Sequence, residues 1–547
     1  MTGTRKLFLP ALLLLFLSVG IYTAKNTSAT VDEAIFHTVD GYVGLKTHDY
    51  RLNPVSPAFA REWVALPWLF LNPKLDLDSP SWKEADSPAF GTQFFYQDNR
   101  DKALCLLFSA RLMNLLLGAA LVAVVFFWCF ELYGFFGAVI GSTLTALTPC
   151  ILAHSAIAAT DLPVMFWAVF FLFALWKWLR GAGAGWFILS IVTLGLTQSS
   201  KFTALFFYPV LGIILWKEKG FLRAAGYFAL ILLGSLLVVW ATYFFEFKPL
   251  LLNVPRVGEK LVMIEGLASK ISHGNTAAIA WLRNATLTIP IPLPSYILGI
   301  AGVARGHQAP YIHYFNGGWT TDVQWFYYIA SFLVKMTPAF LIFLFLRAAV
   351  SFKTRAPQNL LLFTLLPAAV FFWITLKDST AVGMRYLLVT VPLFSVWAAG
   401  LAVVPVNPEK GWKRILGVLL AMQLLSFATC FPYYLEYFNG IVDGAPNAYH
   451  YFRGSDIDWG QGLVYLKKYL KKNRVDQKIA LEYFGSTDPA IYGINSRPLD
   501  PGENKIPRKE FYAVSVQHID SVAWTATKRP TAKLGSIFIY DFREAAG

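Results

Sequence analysis

Cysteine is nearly absent, with four in 547 residues (Cys105, Cys129, Cys150 and Cys430). All four stand in or beside apolar runs and the polar C-terminal stretch has none. That excludes a disulfide framework and a thiolate metal site. Histidine is scarce as well, at eight residues, and His37, His48 and His154 lack the spacing of a ligand set. Charge is thin: charged residues make up 15% of the chain, and 33 acidic residues face 47 basic ones. The resulting excess of +14 lies mostly in short loops between apolar runs. It suits anionic lipid headgroups, and no nucleic-acid-binding motif accompanies it. No internal repeat or low-complexity segment is apparent.

What the chain has in abundance is apolar length. Hydrophobic residues make up 56% of it, and the mean hydropathy is +0.49. Apolar runs fall near 7–24, 104–130, 135–153, 162–179, 185–199, 202–216, 224–246, 322–346, 358–376, 385–404 and 412–431. At about 1.5 Å per residue most are long enough to cross a bilayer, so the spacing predicts eleven spans of an α-helical polytopic membrane protein. The first run has no clear cleavage site and is followed by many others, so it reads as a retained helix. The fifth and sixth runs are short and meet at Gln198-Ser-Ser-Lys201, as interrupted spans do where they line a protein-walled cavity.

Short-loop charge sets the orientation. Arg5 and Lys6, Lys177 and Arg180, Lys217, Lys219 and Arg223, Arg347, Lys353 and Arg355, and Lys410, Lys413 and Arg414 fall on one side. The positive-inside rule makes that side cytoplasmic, together with the N-terminus. The loops 25–102 and 247–321 and the stretch 433–547 are then outside. Within 1–432, expected to be the membrane catalytic domain, Ala34 to Leu45 and Ala58 to Leu71 read as amphipathic interfacial helices. Pro290, Pro292 and Pro294 break the apolar stretch 288–304, which is expected to be irregular. In 433–547, Gly462 to Lys472 reads as a helix, and Lys478 to Phe484, Phe511 to Gln517 and Ser536 to Asp541 read as strands of a small α/β domain. Its acidic pair, Asp456 and Asp458, is expected to be structural, with no catalytic group in the domain.

The first outer loop opens on Asp32-Glu33, directly after the first span, and Asp161 stands where another span begins. Titratable groups at a membrane face are costly to desolvate and serve chemistry more often than packing. Transfer to a hydroxyl or amine needs a base for the acceptor and charge stabilisation for the leaving group. Asp32 can be the base, with Glu33 beside it and Asp161 as partner or second acid. Lys201, Arg385 and Lys335, midway along its run, can hold an anionic leaving group. A phosphate released from a phosphodiester donor is a weak base and needs no general acid. Arg111 is expected to pair with a loop carboxylate.

In order along the chain stand Val31-Asp32-Glu33, Gly41-Tyr42, Asp49-Tyr50-Arg51-Leu52-Asn53-Pro54, Ala110-Arg111-Leu112 and His154 to Pro163. Lys201, the 290–294 prolines, Lys335-Met-Thr-Pro338, Gly383-Met-Arg385-Tyr386, Tyr434 to Asn439 and Asp458-Trp-Gly-Gln461 follow. With this series the chain resembles the lipid-carrier-dependent glycosyltransferases of the GT-C superfamily, which include protein O-mannosyltransferases and lipid A aminoarabinose transferases. The resemblance implies a catalytic role for Asp32, a second acidic position at Asp161 and carrier-phosphate contacts from Lys201 and Arg385. Arg51, Arg111, His154 and Tyr386 are supporting candidates. It departs from the aminoarabinose transferases at Ile35-Phe36, where they carry an arginine, and at Val55-Ser-Pro57, where they carry Lys-Pro-Pro. The sugar-binding modules of eukaryotic O-mannosyltransferases are missing, which favours a bacterial plasma-membrane enzyme. The implied donor is a polyprenyl-phosphate-linked monosaccharide; the acceptor is left open among protein Ser/Thr, lipid and glycan. No metal site is expected, and a divalent-cation requirement is left open. A polysaccharide polymerase and a non-enzymatic flippase for lipid-linked glycans are the alternatives.

Overall fold

The computed structural model describes residues 3–252, 257–271, 273, 275–306, 311–351, 359–378, 380–405 and 409–543. Lys353 and Arg355 of the expected cytoplasmic loops lie outside them. By length and composition, the helices Arg5–Asn26, Ala103–Ala146, Asp161–Leu179, Phe221–Thr242 and Glu409–Thr429 can cross a membrane. Ala184–Gln198, Leu360–Thr375 and Thr390–Val403 are shorter apolar helices. The eleven apolar runs therefore do not translate one for one into long crossing helices.

Two local causes account for much of the difference. Ala103–Ala146 is interrupted at Gly134, whose φ of 71° is a left-handed value that glycine adopts without a Cβ penalty. A Cβ on Gly141 would come within 2.4 Å of Cys129 Sγ, so the chain reverses there and the expected break at 131–134 is a turn between two packed helices. The expected third run does not reach residue 153 either, because Pro149–Ser155 forms a separate short helix. The run 322–346 is bent by 111° between Tyr327–Lys335 and Pro338–Ser351. Pro338 cannot donate a backbone hydrogen bond to the preceding turn, and it starts the second helix instead. Thr337 caps that helix by accepting from the Phe340 amide at 3.2 Å. Carbonyls freed at the break are taken up by Asn439, whose side-chain amide donates to Leu333 at 2.7 Å and Met336 at 2.9 Å. Lys335 thus stands at a helix end, not midway along a span.

The loop 25–102 includes the helices Thr38–Thr47, Ala58–Ala65 and Trp68–Leu71. They do not simply float on a lipid face: Tyr42, Trp68, Phe94 and Phe95 form a core against Leu106 and Ala110 of the long helix. Trp68 is fully buried, and its indole N–H donates to the Leu106 carbonyl at 3.0 Å. Truncating a buried aromatic of this kind costs about 3–5 kcal/mol. Phe70, 90% exposed, is flanked by the exposed Leu69 and Leu71 in an apolar edge of this loop. The 288–304 stretch is more regular than expected, with a strand Pro290–Pro292 followed by a helix Pro294–Gly306.

The C-terminal region carries a five-stranded sheet ordered Ser496–Arg497, Ile479–Glu482, Phe511–Ser515, Ile537–Asp541, Ala532–Leu534. The first three strands run parallel and the last two pair antiparallel to their neighbours. Two of the strands, at two and three residues, are too short to leave an alternation signal. Side chains alternate between two cores, as the strand period of two requires. Ile479, Leu481, Phe511, Ala513, Ile537 and Ile539 meet Leu463, Leu466 and Leu470 of the helix Leu463–Lys472. Ala480, Tyr512, Val514, Phe538 and Tyr540 join the core of the apolar bundle.

Candidate active site

Two side chains one helical turn apart on the long helix fix both acidic turns. Arg111 is fully buried, and its guanidinium binds Glu33 through Nε to Oε1 at 2.8 Å and Nη2 to Oε2 at 2.7 Å. The other N–H groups donate to the carbonyls of Ala24, Thr27 and Ser28 at 2.8, 2.9 and 2.7 Å. Glu33 also accepts from the amides of Thr30 at 2.8 Å and Ala158 at 2.7 Å. Burial alone would disfavour its charge, yet Arg111 and these amides hold its carboxyl below the ordinary value. Asn114 then donates to the carbonyls of Ile157 at 2.7 Å and Ala159 at 2.8 Å, just ahead of Asp161. One stretch of helix therefore sets Asp32 and Asp161 relative to each other.

Asp32 and Asp161 are brought together through Arg385. Arg385 Nη1 lies 3.2 Å from Asp32 Oδ2, and Arg385 Nε donates to Asp161 Oδ2 at 2.9 Å. Lys201 Nζ donates to Asp161 Oδ1 at 2.6 Å and lies 4.8 Å from the centre of the Tyr386 ring. Asp161 is fully enclosed between its two cations, whereas the Asp32 side chain is 27% exposed. The four charges cancel as a set. Lys201 and Arg385 use only some of their N–H groups on carboxylates, which leaves them donors for an anion.

These groups open onto a cavity of about 790 Å³ lined by Asp32, His37, Arg51, Lys201, Arg385 and Tyr386, among others. Arg51 is held there by Asp49 at 2.5 Å and stacks 4.7 Å from the Trp82 ring centre. His37 is a cavity residue that sequence reasoning considered only as a metal ligand. Both its ring nitrogens are buried without a hydrogen-bond partner, and burial pulls its imidazole down to about 4. It is therefore neutral near pH 7, with one donor and one acceptor to offer a ligand.

Four expected site residues, Glu33, Asp161, Lys335 and His154, do not line the cavity. Glu33 is not at the cavity: its oxygens are used up by Arg111 and two amides, so it braces the turn that presents Asp32. Asp161 has no surface from which to orient an acceptor or share a proton with it, and it positions Lys201 and Arg385 instead. Lys335 does not reach an anion; its Nζ donates to the carbonyls of Leu435 at 2.6 Å and Asp456 at 2.7 Å and sits over the Phe438 ring. His154 is buried, with Nδ1 2.9 Å from the Cys150 carbonyl, and does not line the cavity.

The C-terminal region contributes more than the sequence suggests. Backbone amides of Ser28 and Val31 donate to Gln461 at 3.0 Å and Trp459 at 2.9 Å. Asp32 therefore sits beside the C-terminal segment, and the Arg385 guanidinium lies 3.9 Å from the Trp459 ring centre, within cation–π range. Asp456 accepts from the Met384 amide and the Ser331 hydroxyl, both at 2.9 Å, and so holds the turn that carries Arg385. Gly383 is needed there twice over: its φ is 76°, and a Cβ would come within 2.3 Å of the Asp456 carboxyl carbon. Asp-Trp-Gly-Gln at 458–461 was the sequence signal for this contact, but nothing in it told which side chain Trp459 would meet. Among the described residues, no group of three or more His, Cys, Asp or Glu side chains is placed to hold a metal ion.

A family model described as PMT, dolichyl-phosphate-mannose-protein mannosyltransferase, matches residues 93–251. That segment contains Arg111, Asp161 and Lys201 but neither Asp32 nor Arg385. No curated protein matches the chain. Among solved structures, ArnT from Cupriavidus metallidurans bound to undecaprenyl phosphate is similar at 9% identity and a TM-score of 0.44, covering 97% of this chain and 97% of that one. The Archaeoglobus fulgidus oligosaccharyltransferase in its apo form gives 14% identity and a TM-score of 0.44, covering 87% of this chain and 59% of that one. AglB from the same organism, in complex with an inhibitory peptide and a dolichol-phosphate, gives 10% identity and a TM-score of 0.43, covering 100% of this chain and 75% of that one.

Proposed function

We propose that this chain is an inverting glycosyltransferase of the GT-C type. It moves a monosaccharide from a polyprenyl-phosphate carrier to a hydroxyl acceptor at the outer face of a bacterial plasma membrane. The observation that carries the reading is the Asp32–Arg385–Asp161–Lys201 chain at the wall of the 790 Å³ cavity. It sets one exposed carboxylate beside two cations held side by side by a buried one. The match of residues 93–251 to a family that uses a lipid-phosphate sugar supports the same chemistry.

In this reading the carrier phosphate binds Lys201 and Arg385, with Arg51 further along the cavity. Neutral His37 hydrogen-bonds the sugar. Asp32 takes the proton of the acceptor hydroxyl as its oxygen bonds to the anomeric carbon. The carbon–oxygen bond to phosphate breaks on the opposite side, its electron pair goes to the phosphate, and the anomeric configuration inverts. Arg385 and Lys201 take up the charge gained by the leaving group, with no protonation needed. Arg385 also touches Asp32, so departure of the phosphate and arrival of the acceptor share one cation. Asp161 and Glu33 act at one remove, by positioning.

The test is a transfer assay on the purified full chain in lipid nanodiscs, with a panel of polyprenyl-phosphate monosaccharides and with water or added glycans and peptides as acceptors. The expected result is release of polyprenyl phosphate and a product of inverted configuration, both slowed about a hundredfold or more in Asp32→Asn. A product of retained configuration, or turnover undiminished in Asp32→Asn, would overturn the mechanism.

A further inference from the structure

A second cavity, of about 480 Å³, shares Asp32, Val382 and Arg385 with the first. Its other walls come from the hairpin His313–Phe315/Gly318–Thr320 and from the C-terminal region, including His313, Trp319, Asp458, Gln517 and His518. The volume is in the range of small-ligand sites, about 300–1,000 Å³.

Three buried polar atoms of its wall residues lack a hydrogen-bond partner. His313 is 5% exposed, and its Nδ1 lies 3.2 Å from the Tyr311 carbonyl. A carbonyl only accepts, so Nδ1 carries a proton. His313 Nε2 is buried without a partner, as are the side-chain oxygens Gln517 Oε1 and Asp458 Oδ2. The two unpartnered oxygens, Gln517 Oε1 and Asp458 Oδ2, call for hydrogen-bond donors in this cavity, and a buried polar atom left unpaired is costly. The same cavity has an aromatic wall. Trp319, 47% exposed, is held by its indole N–H donating to Asp520 at 3.0 Å. Asp520 is clamped in turn by Arg453 through two N–H bonds of 2.6 and 3.0 Å. Tyr311, on the same wall, is 51% exposed.

We propose that this cavity is the acceptor subsite and that it takes a sugar ring. The inference rests on the glycosyltransferase reading above, with Asp32 as the base. A sugar presents several hydroxyl donors around an apolar C–H face, which matches two acceptors and an aromatic wall in one enclosed space. A serine or threonine side chain offers a single hydroxyl and no such face. The acceptor hydroxyl that projects to the shared wall meets Asp32 from one cavity while the anomeric carbon occupies the other. The C-terminal region therefore chooses the acceptor, and the first cavity chooses the donor.

The experiment uses the full chain in nanodiscs. Binding of polyprenyl phosphate, of a panel of di- to tetrasaccharides and of a Ser/Thr-rich peptide is each measured by calorimetry. At least one saccharide is expected to bind, with affinity falling tenfold or more in Gln517→Ala and in Trp319→Ala. Trp319→Phe should recover most of the loss, since it keeps the aromatic face. Polyprenyl-phosphate affinity should stay within twofold in all three variants. Protein that binds polyprenyl phosphate but no saccharide of the panel overturns the inference, as does peptide binding that is lost in the same variants. If the wild type binds no polyprenyl phosphate, the donor reading falls, while the saccharide titration still decides this cavity on its own.

Discussion

Glu33 and Asp32 are neighbours in the chain, and each is paired with an arginine, yet the two pairs do opposite things. Arg111 and Glu33 are both fully enclosed and meet through two bonds of 2.8 and 2.7 Å, with amides and carbonyls filling the remaining positions. Asp32 meets Arg385 through one contact of 3.2 Å, and both side chains stay partly exposed at the junction of two cavities. A closed pair has no capacity left for a ligand. An open pair keeps lone pairs and N–H groups for one. What separates the closed pair from the open one is residual valence, not charge or residue type.

The largest expected effect tests the open pair. Asp32→Asn preserves shape but cannot take a proton, and turnover should fall about 10²- to 10⁴-fold with an unchanged melting temperature. A comparable loss from Glu33→Gln in protein that melts like the wild type would erase the distinction between the two carboxylates.

The closed pair is tested through stability. Arg111→Met leaves Glu33 buried and unpaired, and breaking a buried pair costs about 3–5 kcal/mol. A large drop in melting temperature in detergent, followed by fluorescence, is expected. A variant that melts normally yet has lost turnover would place Arg111 in the chemistry.

Two lysines sharpen the comparison further. Lys201→Ala should weaken polyprenyl-phosphate binding about ten- to hundredfold, the scale of one charge-assisted hydrogen bond. Lys335→Met, which removes contacts to two backbone carbonyls, should leave that affinity close to wild type and lower thermal stability instead. Equal effects on affinity would mean that Lys335 reaches the donor after all.

The smallest effect concerns pH. Glu436 is buried in the segment after the last long helix and accepts from the Gln461 side chain at 2.8 Å. Burial pushes its carboxyl up to about 7. Its folded-state value is raised, so its contribution to stability is present below about 4.5 and is lost as pH rises through about 7. Glu436→Gln has no proton to lose. It should match the wild type near pH 4.5 and melt higher at pH 8. A gap that does not change between those pH values would exclude Glu436 as the titrating group.

Composition and run length alone determined that this is a polytopic helical membrane protein, because an apolar run of bilayer length has few other stable fates. Period-two patterning likewise located the three main strands, and the Asp-Glu pair, Asp161, Lys201 and Arg385 were all visible as charges at span ends. Which charges work together was decided only by the tertiary structure. Nothing local distinguishes Asp32 from Glu33; they part because the backbone turns one toward Arg111 inside the bundle and the other toward Arg385, more than 350 residues away in sequence. The same holds for Lys335, which looked like an anion contact until the bend at Pro338 and the arrival of Leu435 and Asp456 gave its ammonium two carbonyls. It holds too for Trp459 and Asp456, which reach Arg385 and its turn only because the C-terminal region folds back across residues 28–31. A sequence shows which side chains carry charge. Partners distant along the chain determine which of those charges keep valence to spare.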